Sequence, residues 1–529
     1  MKTNLIKSLF IILLVVSVLI FGYDKYKTYR NLRSSNKIET LIELLEKSYV
    51  DTVNRDALMK AAINGMLQYL DPHSAYSDPI ENKELKESME GAFEGIGVQF
   101  NIMNDTVMVV ATIVGGPSEK VGIKAGDRIV AVNGENIAGV NIQNNRVVTL
   151  LRGKKGTKVK VQIKRPNVSQ IFEYNIVRDV IESETILPPY KLDKQTGYIK
   201  IDQFGRKTGE EFTQALLWLQ VKGMNRLVLD LRGNSGGYLS EAVAVCDHFL
   251  RENDTILTVE GAHTPTEAIV ATDNGLFLSG TVIVLIDEFS ASASEVVAGA
   301  IQDNDRGWIV GRRSFGKGLV QQHHDFTDGS SVRLTVSRFH TPSGRCIQRD
   351  YHNGKLQYYE DILKRYENGE LDSIQNISYA DSLPFFTKNG RPIYGGGGIM
   401  PDCFVPLAKN SYSPEYLWLV NSPKLIQFTF DYTHKYEDNL RRQYPSAYAF
   451  VKNMIVSSAL VDEYVRFCKQ DDDFKSFDIS KLNSSELSNV KMWLKALIGR
   501  NLYRDEAFYP IVNQTDETIK KAMTLEGHP

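Results

Sequence analysis

Residues 281–303 read TVIVLIDEFSASASEVVAGAIQD. An uncharged apolar run of this length is what a buried strand shows. A string of small residues then turns the chain, and a helix starts near Ala293. Strand, tight turn and helix N-terminus form a place for a nucleophile: the first amides of the helix can stabilise an oxyanion, and small residues let a substrate approach. The same letters satisfy a plain structural account, because Ser292-x-x-Glu295 is also a capping box.

The neighbouring segments repeat the pattern. GYIKI, RLVLDL and TVIVLID alternate with helical stretches at 208–222, 238–252 and 292–303, an α/β arrangement. WIVGR, LVQQHHDF and SVRLTVSRFHT are expected to continue the same sheet. VLDLRGNSGGYLSEAV (228–243) is again strand, glycine turn and helix. The Gly236-Gly237 amides could complete an oxyanion hole, or the glycines could merely permit a positive φ. A phosphate loop is excluded, since no G-K-[ST] follows.

A serine hydroxyl needs a base. SFGKGLVQ (314–321) places Lys317 between Gly316 and Gly318 and beside Phe315, Leu319 and Val320. To act as base the amine must be neutral, its pKa falling from about 10.4 to about 7–8, a shift of roughly three units or about 4 kcal/mol. Burial supplies such a shift, and Arg312 and Arg313 nearby are expected to add to it. Gln321, four residues on, shares a face with Lys317 if the segment is a strand, and could hold the amine in line with the serine. His323 and His324 suggest a rival triad with Asp303 or Asp325, but adjacent strand residues face opposite ways. A zinc site at that pair lacks a spaced third ligand.

Upstream, FEGIGVQF (93–100) and GPSEKVGIKAGDRIVAVNGENI (116–137) open a small α+β module of glycine turns and short strands. A Gly-x-Gly turn entering a strand can present amides to a C-terminal carboxylate, and the strand edge can accept a peptide by β-augmentation. Residues 37–70 read as two helices, the second stopped by Asp71-Pro72. Residues 414–529 are mostly helical.

Composition bounds the rest. A chain of 529 residues suggests three or four domains at about 150 each. It carries 62 Lys plus Arg against 64 Asp plus Glu, a net charge of −2, which excludes a dedicated nucleic-acid binder. Cys246, Cys346, Cys403 and Cys468 are too few and too scattered for a disulfide framework or a zinc site. LFIILLVVSVLIFGY (9–23) follows Lys2 and Lys7, and from Leu5 it reaches about 19 residues, close to a bilayer span. No A-x-A site and no cysteine follow it, so an uncleaved signal-anchor is expected, although Lys25, Lys27, Arg30 and Arg33 weaken the charge asymmetry.

Taken in order, LDPHSAY (70–76), GIGV with AGDRIVAVNG, DLRGNSGG, SASASE, SFGKGLVQ and GGGGIMPD (395–402) resemble the carboxyl-terminal processing peptidases, or tail-specific proteases. That resemblance implies a multidomain α/β protein: a crotonase-like mixed α/β Ser–Lys peptidase core with an inserted PDZ domain and flanking helical regions. It places a cytoplasmic N-terminus at 1–8, the anchor at 9–23, a helical region at 30–90, the PDZ domain at 91–175 and the core at 176–345. An insertion and return to the core follow at 346–413, then a C-terminal helical region at 414–529. By the resemblance Ser292 is the nucleophile, Lys317 the base and Gln321 its orienter. Ser290 and Ser294 fall at non-catalytic positions. Ala293 and Gly236 would supply the oxyanion amides, with Gly237 the lesser alternative, and Gly95, Ile96, Gly97 and Val98 would bind the peptide. Asp303 falls where some members carry an acid, and Ser235 replaces the proline of many members. The resemblance implies an endopeptidase of the cell envelope, anchored in the inner membrane with its catalytic part exported to the periplasm. It would cut protein substrates at their C-terminal tails without metal or cofactor. The flanking helical regions are candidate surfaces for homo-oligomer assembly. An inactive PDZ scaffold and a small-acyl hydrolase on the same core are the alternatives.

Overall fold

The computed structural model describes residues 37–166, 168–377, 384–407, 412–470, 474 and 477–529. The apolar run 9–23 lies outside them. Among the described residues no helix is long and apolar enough to cross a membrane. The chain divides into two units, the smaller made of the described residues through Asn82 with Gln321–Thr335 and Tyr351–Tyr358.

In that smaller unit, helices Lys37–Ser48 and Arg55–Gln68 lead to a strand, Ala75–Ser77. Asn54 caps the second helix by accepting from the Ala57 N–H at 3.0 Å. The regular helix ends at Gln68, and a turn through Leu70 carries the chain to Asp71-Pro72. Asp71 then forms a turn of its own, accepting from the His73 and Ser74 amides at 2.7 and 2.8 Å. The strand pairs antiparallel with residues 331–333. Buried Asn82 ties down the hairpin beside it, donating to Gly329 O at 2.9 Å and accepting from Ser331 Oγ at 2.8 Å.

The larger unit opens with the α+β module. Its antiparallel sheet runs Val98–Met103, Thr106–Thr112, Arg128–Val132, Lys158–Lys164, Ile171–Val177, with Val98–Met103 at the edge. KVKVQIK at 158–164 shows why a strand forms: Val159, Val161 and Ile163 point into the core while the lysines face out. GAFEGIGVQF is not one strand. Ala92–Gly95 pairs with Asp179–Glu182, and Gly97, at φ +71°, breaks the run before Val98.

The α/β core is a six-stranded sheet in the order Tyr190–Lys191, Thr196–Lys200, Arg226–Asp230, Thr281–Ile286, Trp308–Gly311, Cys403–Phe404, parallel except at the first pair. Val282, Val284 and Ile286 face one core with helices Thr208–Val221, Leu239–Asp247 and Ala293–Asp303. Ile283 and Leu285 face another, closed by Ile519 and Ala522 of the helix Glu517–Met523. A parallel sheet must be covered on both faces, and the last described helix supplies the second cover. Only Trp308–Gly311 of the three later runs joins this sheet. Leu319–Asp325 and Ser331–His340 pair with each other, and residues 338–340 pair with Thr258–Glu260 of a hairpin, Thr255–Gly261 and Thr264–Val270. The architecture is multidomain mixed α/β, as the motifs imply.

Candidate active site

Two turns at the C-terminal ends of neighbouring parallel strands build the site. In the first, after Thr281–Ile286, Asp287 accepts from the Gly233 N–H at 3.0 Å and the Ser290 N–H at 3.1 Å. The three serines then part company. Ser290 and Ser294 are fully buried, with hydroxyls donated to the carbonyls of Leu231 (2.9 Å) and Asn234 (3.0 Å). Ser292 is half-buried and caps the helix Ala293–Asp303 at φ 54°, ψ −112°. That left-handed backbone costs a serine about 1–3 kcal/mol and persists only where the surroundings over-determine it.

The surroundings are the second turn, 231–237. Asn234 is fully buried; its Nδ2 donates to Ile201 O (2.9 Å), and its carbonyl accepts from the Ala291 N–H (3.0 Å). Gly236, at φ +104°, lies so close that a Cβ there would fall 2.8 Å from Ser292 Cβ and 3.1 Å from Ala293 N. Only glycine fits. The Gly236 N–H itself is donated to Asn234 Oδ1 at 2.8 Å, so as an oxyanion donor it must exchange that bond. Ala293, at the first position of its helix, keeps its N–H outside the helical ladder. Below this turn, Asp230 is clamped by Arg232, which also reaches Asp516 at 2.8 Å. Burial works to raise the Asp230 carboxyl, but the Arg232 guanidinium prevails and holds it at about 2.

Glu295 joins the Ser292 turn to the Lys317 loop. It is fully buried on the helix behind Ser292. Its Oε2 accepts from the Ser292 N–H at 2.8 Å and from the Lys317 N–H at 2.8 Å, so the two nitrogens lie within twice that distance of each other. Its Oε1 accepts from Gly316 N (2.6 Å) and Ser314 Oγ (2.5 Å). Burial raises its pKa from the ordinary carboxylate value, and the four donors only partly offset that. Sequence reading found Glu295 as a capping partner and missed its second role, because Lys317 is distant in the chain.

Lys317 is half-buried and lies in a loop, not a strand: the strand begins at Leu319, so Lys317 and Gln321 share no strand face. Gly316, at φ +88°, bends the backbone ahead of it. Arg312 and Arg313 are not loose positive charges beside the lysine. Arg312 pairs with Glu288 (2.7 Å), and Arg313 makes a two-pronged pair with Glu370 (2.6 and 2.7 Å). Asp303, at the far end of the helix, pairs with buried Arg345 at 2.7 Å. Gln321 belongs to the smaller unit, where its Nε2 donates to His73 O at 2.8 Å and the His73 ring meets Tyr358 OH at 2.8 Å. His323 and His324 follow it on Leu319–Asp325, half-buried and exposed respectively.

In the α+β module, Gly95 ends its strand and Val98 opens the edge strand. Ile96 is buried, its carbonyl held by Ser118 N (3.0 Å) and Oγ (2.6 Å), while Gly97 O accepts from Ile113 N (3.0 Å). Those bonds fix the turn and leave Val98–Met103 hydrogen-bonded to one neighbouring strand, on the Thr106–Thr112 side. Among the described residues no group of three or more His, Cys, Asp or Glu side chains is arranged to hold a metal.

Comparison with known proteins identifies the relatives of this chain. The model of Peptidase family S41 matches residues 195–354, a PDZ domain model 108–165, and the N-terminal domain of the activating protease CtpB 22–84. A family of unknown function, DUF8443, matches 416–505. The chain is 36% identical over 361 residues to the carboxy-terminal processing protease CtpA of Bacillus subtilis, covering 66% of this chain and 75% of that one. It is 35% identical over 340 residues to a carboxy-terminal-processing protease of Bartonella bacilliformis, covering 64% and 77%. Among solved structures, the photosystem II D1 C-terminal processing protease is 28% identical over 60% of this chain and 88% of that one, with a TM-score of 0.34. The chain therefore belongs to the carboxy-terminal processing proteases, serine-type peptidases of family S41 that carry a PDZ domain.

Proposed function

We propose that this chain is a membrane-anchored endopeptidase that captures C-terminal tails of exported proteins on its PDZ domain and cuts them with Ser292 and Lys317. One observation carries the reading: a single oxygen of buried Glu295 accepts from the amides of both residues, which delivers nucleophile turn and base loop to one place. A tail would add to the open edge of Val98–Met103, its carboxylate at the Gly95–Val98 turn. Neutral Lys317 takes the hydroxyl proton as Ser292 attacks the peptide carbonyl. The oxyanion rests on the Ala293 N–H, with Gly236 as second donor once released from Asn234. Lys317 returns the proton to the leaving amine, and water, activated by the same lysine, frees the acyl group. Gln321 is the proposed orienter of that amine. The apolar run 9–23, flanked by lysines, supports an inner-membrane anchor with the remainder in the periplasm.

The test uses the full-length chain in detergent micelles with an unfolded protein bearing an apolar C-terminus, and follows fragments by mass spectrometry. Wild type should cut, while Ser292→Ala and Lys317→Ala lose at least about 10²–10⁴-fold. Wild type that binds the tail but never cuts it would make the chain a scaffold. Turnover of thioesters but not peptides would make it an acyl hydrolase. Undiminished cutting by Lys317→Ala would move the base elsewhere.

A further inference from the structure

Arg349, Asp361 and Arg365, from the stretch that the sequence marks as an insertion, lie at the back of the turn that carries Lys317. Arg365 is 1% exposed, an extreme position for a guanidinium. Its Nη1 donates to Ser314 O at 2.8 Å and its Nη2 to Phe315 O at 3.3 Å, while Nε lies 2.8 Å from Asp361 Oδ2. Arg349 lays its guanidinium 3.9 Å from the Phe315 ring centre and donates to the same Asp361 oxygen at 2.7 Å. Its backbone N–H donates to Gly316 O at 3.1 Å. The carbonyls of Ser314, Phe315 and Gly316 are thus held from one side of the turn, and the amides of Gly316 and Lys317 by Glu295 from the other.

The charges around this turn balance through Arg365. Arg312 answers Glu288, Arg313 answers Glu370 and Arg349 answers Asp361. Among the described residues no guanidinium pairs with Glu295, whose carboxyl holds the Lys317 backbone N–H, and a negative charge near a base favours its charged form, the wrong state for proton abstraction. Arg365 shares Asp361 with Arg349, so these two of the four arginines have one carboxylate between them. Burial lowers the Arg365 pKa to about 10, so it stays charged at neutral pH. Burial also works to raise Asp361, but Arg365 and Arg349 hold it below the usual carboxylate range.

We propose that Arg365 is a positioning residue of the peptidase reaction: it moulds the Ser314–Gly316 turn that delivers Lys317 and offsets the Glu295 carboxylate on the turn's other side. This rests on Lys317 being the base. A neutral lysine requirement makes kcat/KM fall as pH drops through the pKa of that amine, so the acid limb of the profile reads the local charge.

The experiment measures kcat and KM against pH for the full-length chain, its Arg365→Met, Arg365→Lys and Asp361→Asn variants, with active sites titrated by a serine-reactive fluorophosphonate. Removing the positive charge in Arg365→Met should raise the limb by about one pH unit, and removing the negative one in Asp361→Asn should lower it by about half a unit. Arg365→Lys keeps the charge and loses the fork, so its limb stays while kcat falls about tenfold. A merely structural arginine would reduce the titrated fraction and leave every limb in place. Unmoved limbs in Arg365→Met and Asp361→Asn overturn the proposal. If Arg365→Met does not fold, an unmoved limb in Asp361→Asn or a shifted one in Arg365→Lys overturns it equally. Full activity in Lys317→Ala would instead remove the reading of the base, a separate failure with its own readout.

Discussion

Ser292 holds a left-handed backbone that glycine would adopt without strain, and the residues around it explain why a serine stays there. Gly236 presses on its Cβ position, and Glu295 takes its amide. Gly236→Ala should therefore displace the Ser292 turn and, in the fraction that folds, lose about 10²-fold or more in kcat, since a misplacement near 1 Å costs that much. Gly237→Ala, whose Cβ would run into Phe204 O, should instead lower the yield of folded protein. Equal folded yields for the two would show that the Gly236 contact is not selective for the site. Glu295→Gln keeps the shape but turns an amide toward donors, and we expect a loss of about 1–3 kcal/mol in stability and about 10²-fold in kcat with KM little changed. Its pH dependence has a definite sign. The folded pKa of Glu295 is raised, so its contribution is full below the ordinary carboxylate pKa and is lost as pH rises through the folded value. The Tm of wild type minus that of Glu295→Gln should decline over that rise; a difference flat with pH would show that Glu295 ionises normally.

Elements were legible where their signal is local. The alternation in Lys158–Lys164, the apolar run Thr281–Ile286 and the small-residue turn before Ala293 each fix a type and a boundary within a few residues. Which sheet a strand joins is not local, and there the reading erred: Leu319–Asp325 and Ser331–His340 carry strand patterns but no mark of their partner. Lys317 fails as a strand residue for a local reason, the positive φ of Gly316. The helix Glu517–Met523 could not be placed from sequence, since its short apolar stripe says only that something covers it. Its place beneath Ile283 and Leu285 predicts that Ile519→Asp, at 3% exposure, costs about 3–4 kcal/mol in urea unfolding of the peptidase core. An unchanged midpoint would mean the sheet does not need that cover. Asp516, just before that helix, should matter through Arg232: Asp516→Asn removes one of two carboxylates on that guanidinium. Because Asp230 is depressed to about 2, the stability it contributes is present above the ordinary carboxylate pKa and lost as pH falls toward 2.

At the scale of the molecule, the site depends on contacts between distant stretches: Glu295 with Lys317, Arg365 with Ser314, Arg232 with Asp516. The Ser292 and Lys317 motifs pointed to the family because peptidase chemistry demands particular residue types. Their supports were not, because a buried carboxylate or guanidinium is chosen by whatever lies opposite in space. The PDZ domain is held in the same way. Phe430, 7% exposed, lies against Gly126, where a Cβ would collide with its ring, and Arg504 donates to Thr112 O at 2.8 Å. Both contacts come from the C-terminal helical region, so that region seats the PDZ domain within the larger unit. A seated domain presents a bound tail to the site at an effective concentration set by geometry, of order millimolar for a short tether. Freeing it should lower that concentration without touching either pocket. For Phe430→Ala combined with Arg504→Ala we expect kcat/KM on a tailed unfolded protein to fall about tenfold. The Kd of the isolated tail peptide and the turnover of a short peptide lacking the tail should stay at wild-type values. An equal fall on both substrates would place the defect in the peptidase core, and no fall on either would mean that cleavage does not depend on where the PDZ domain sits.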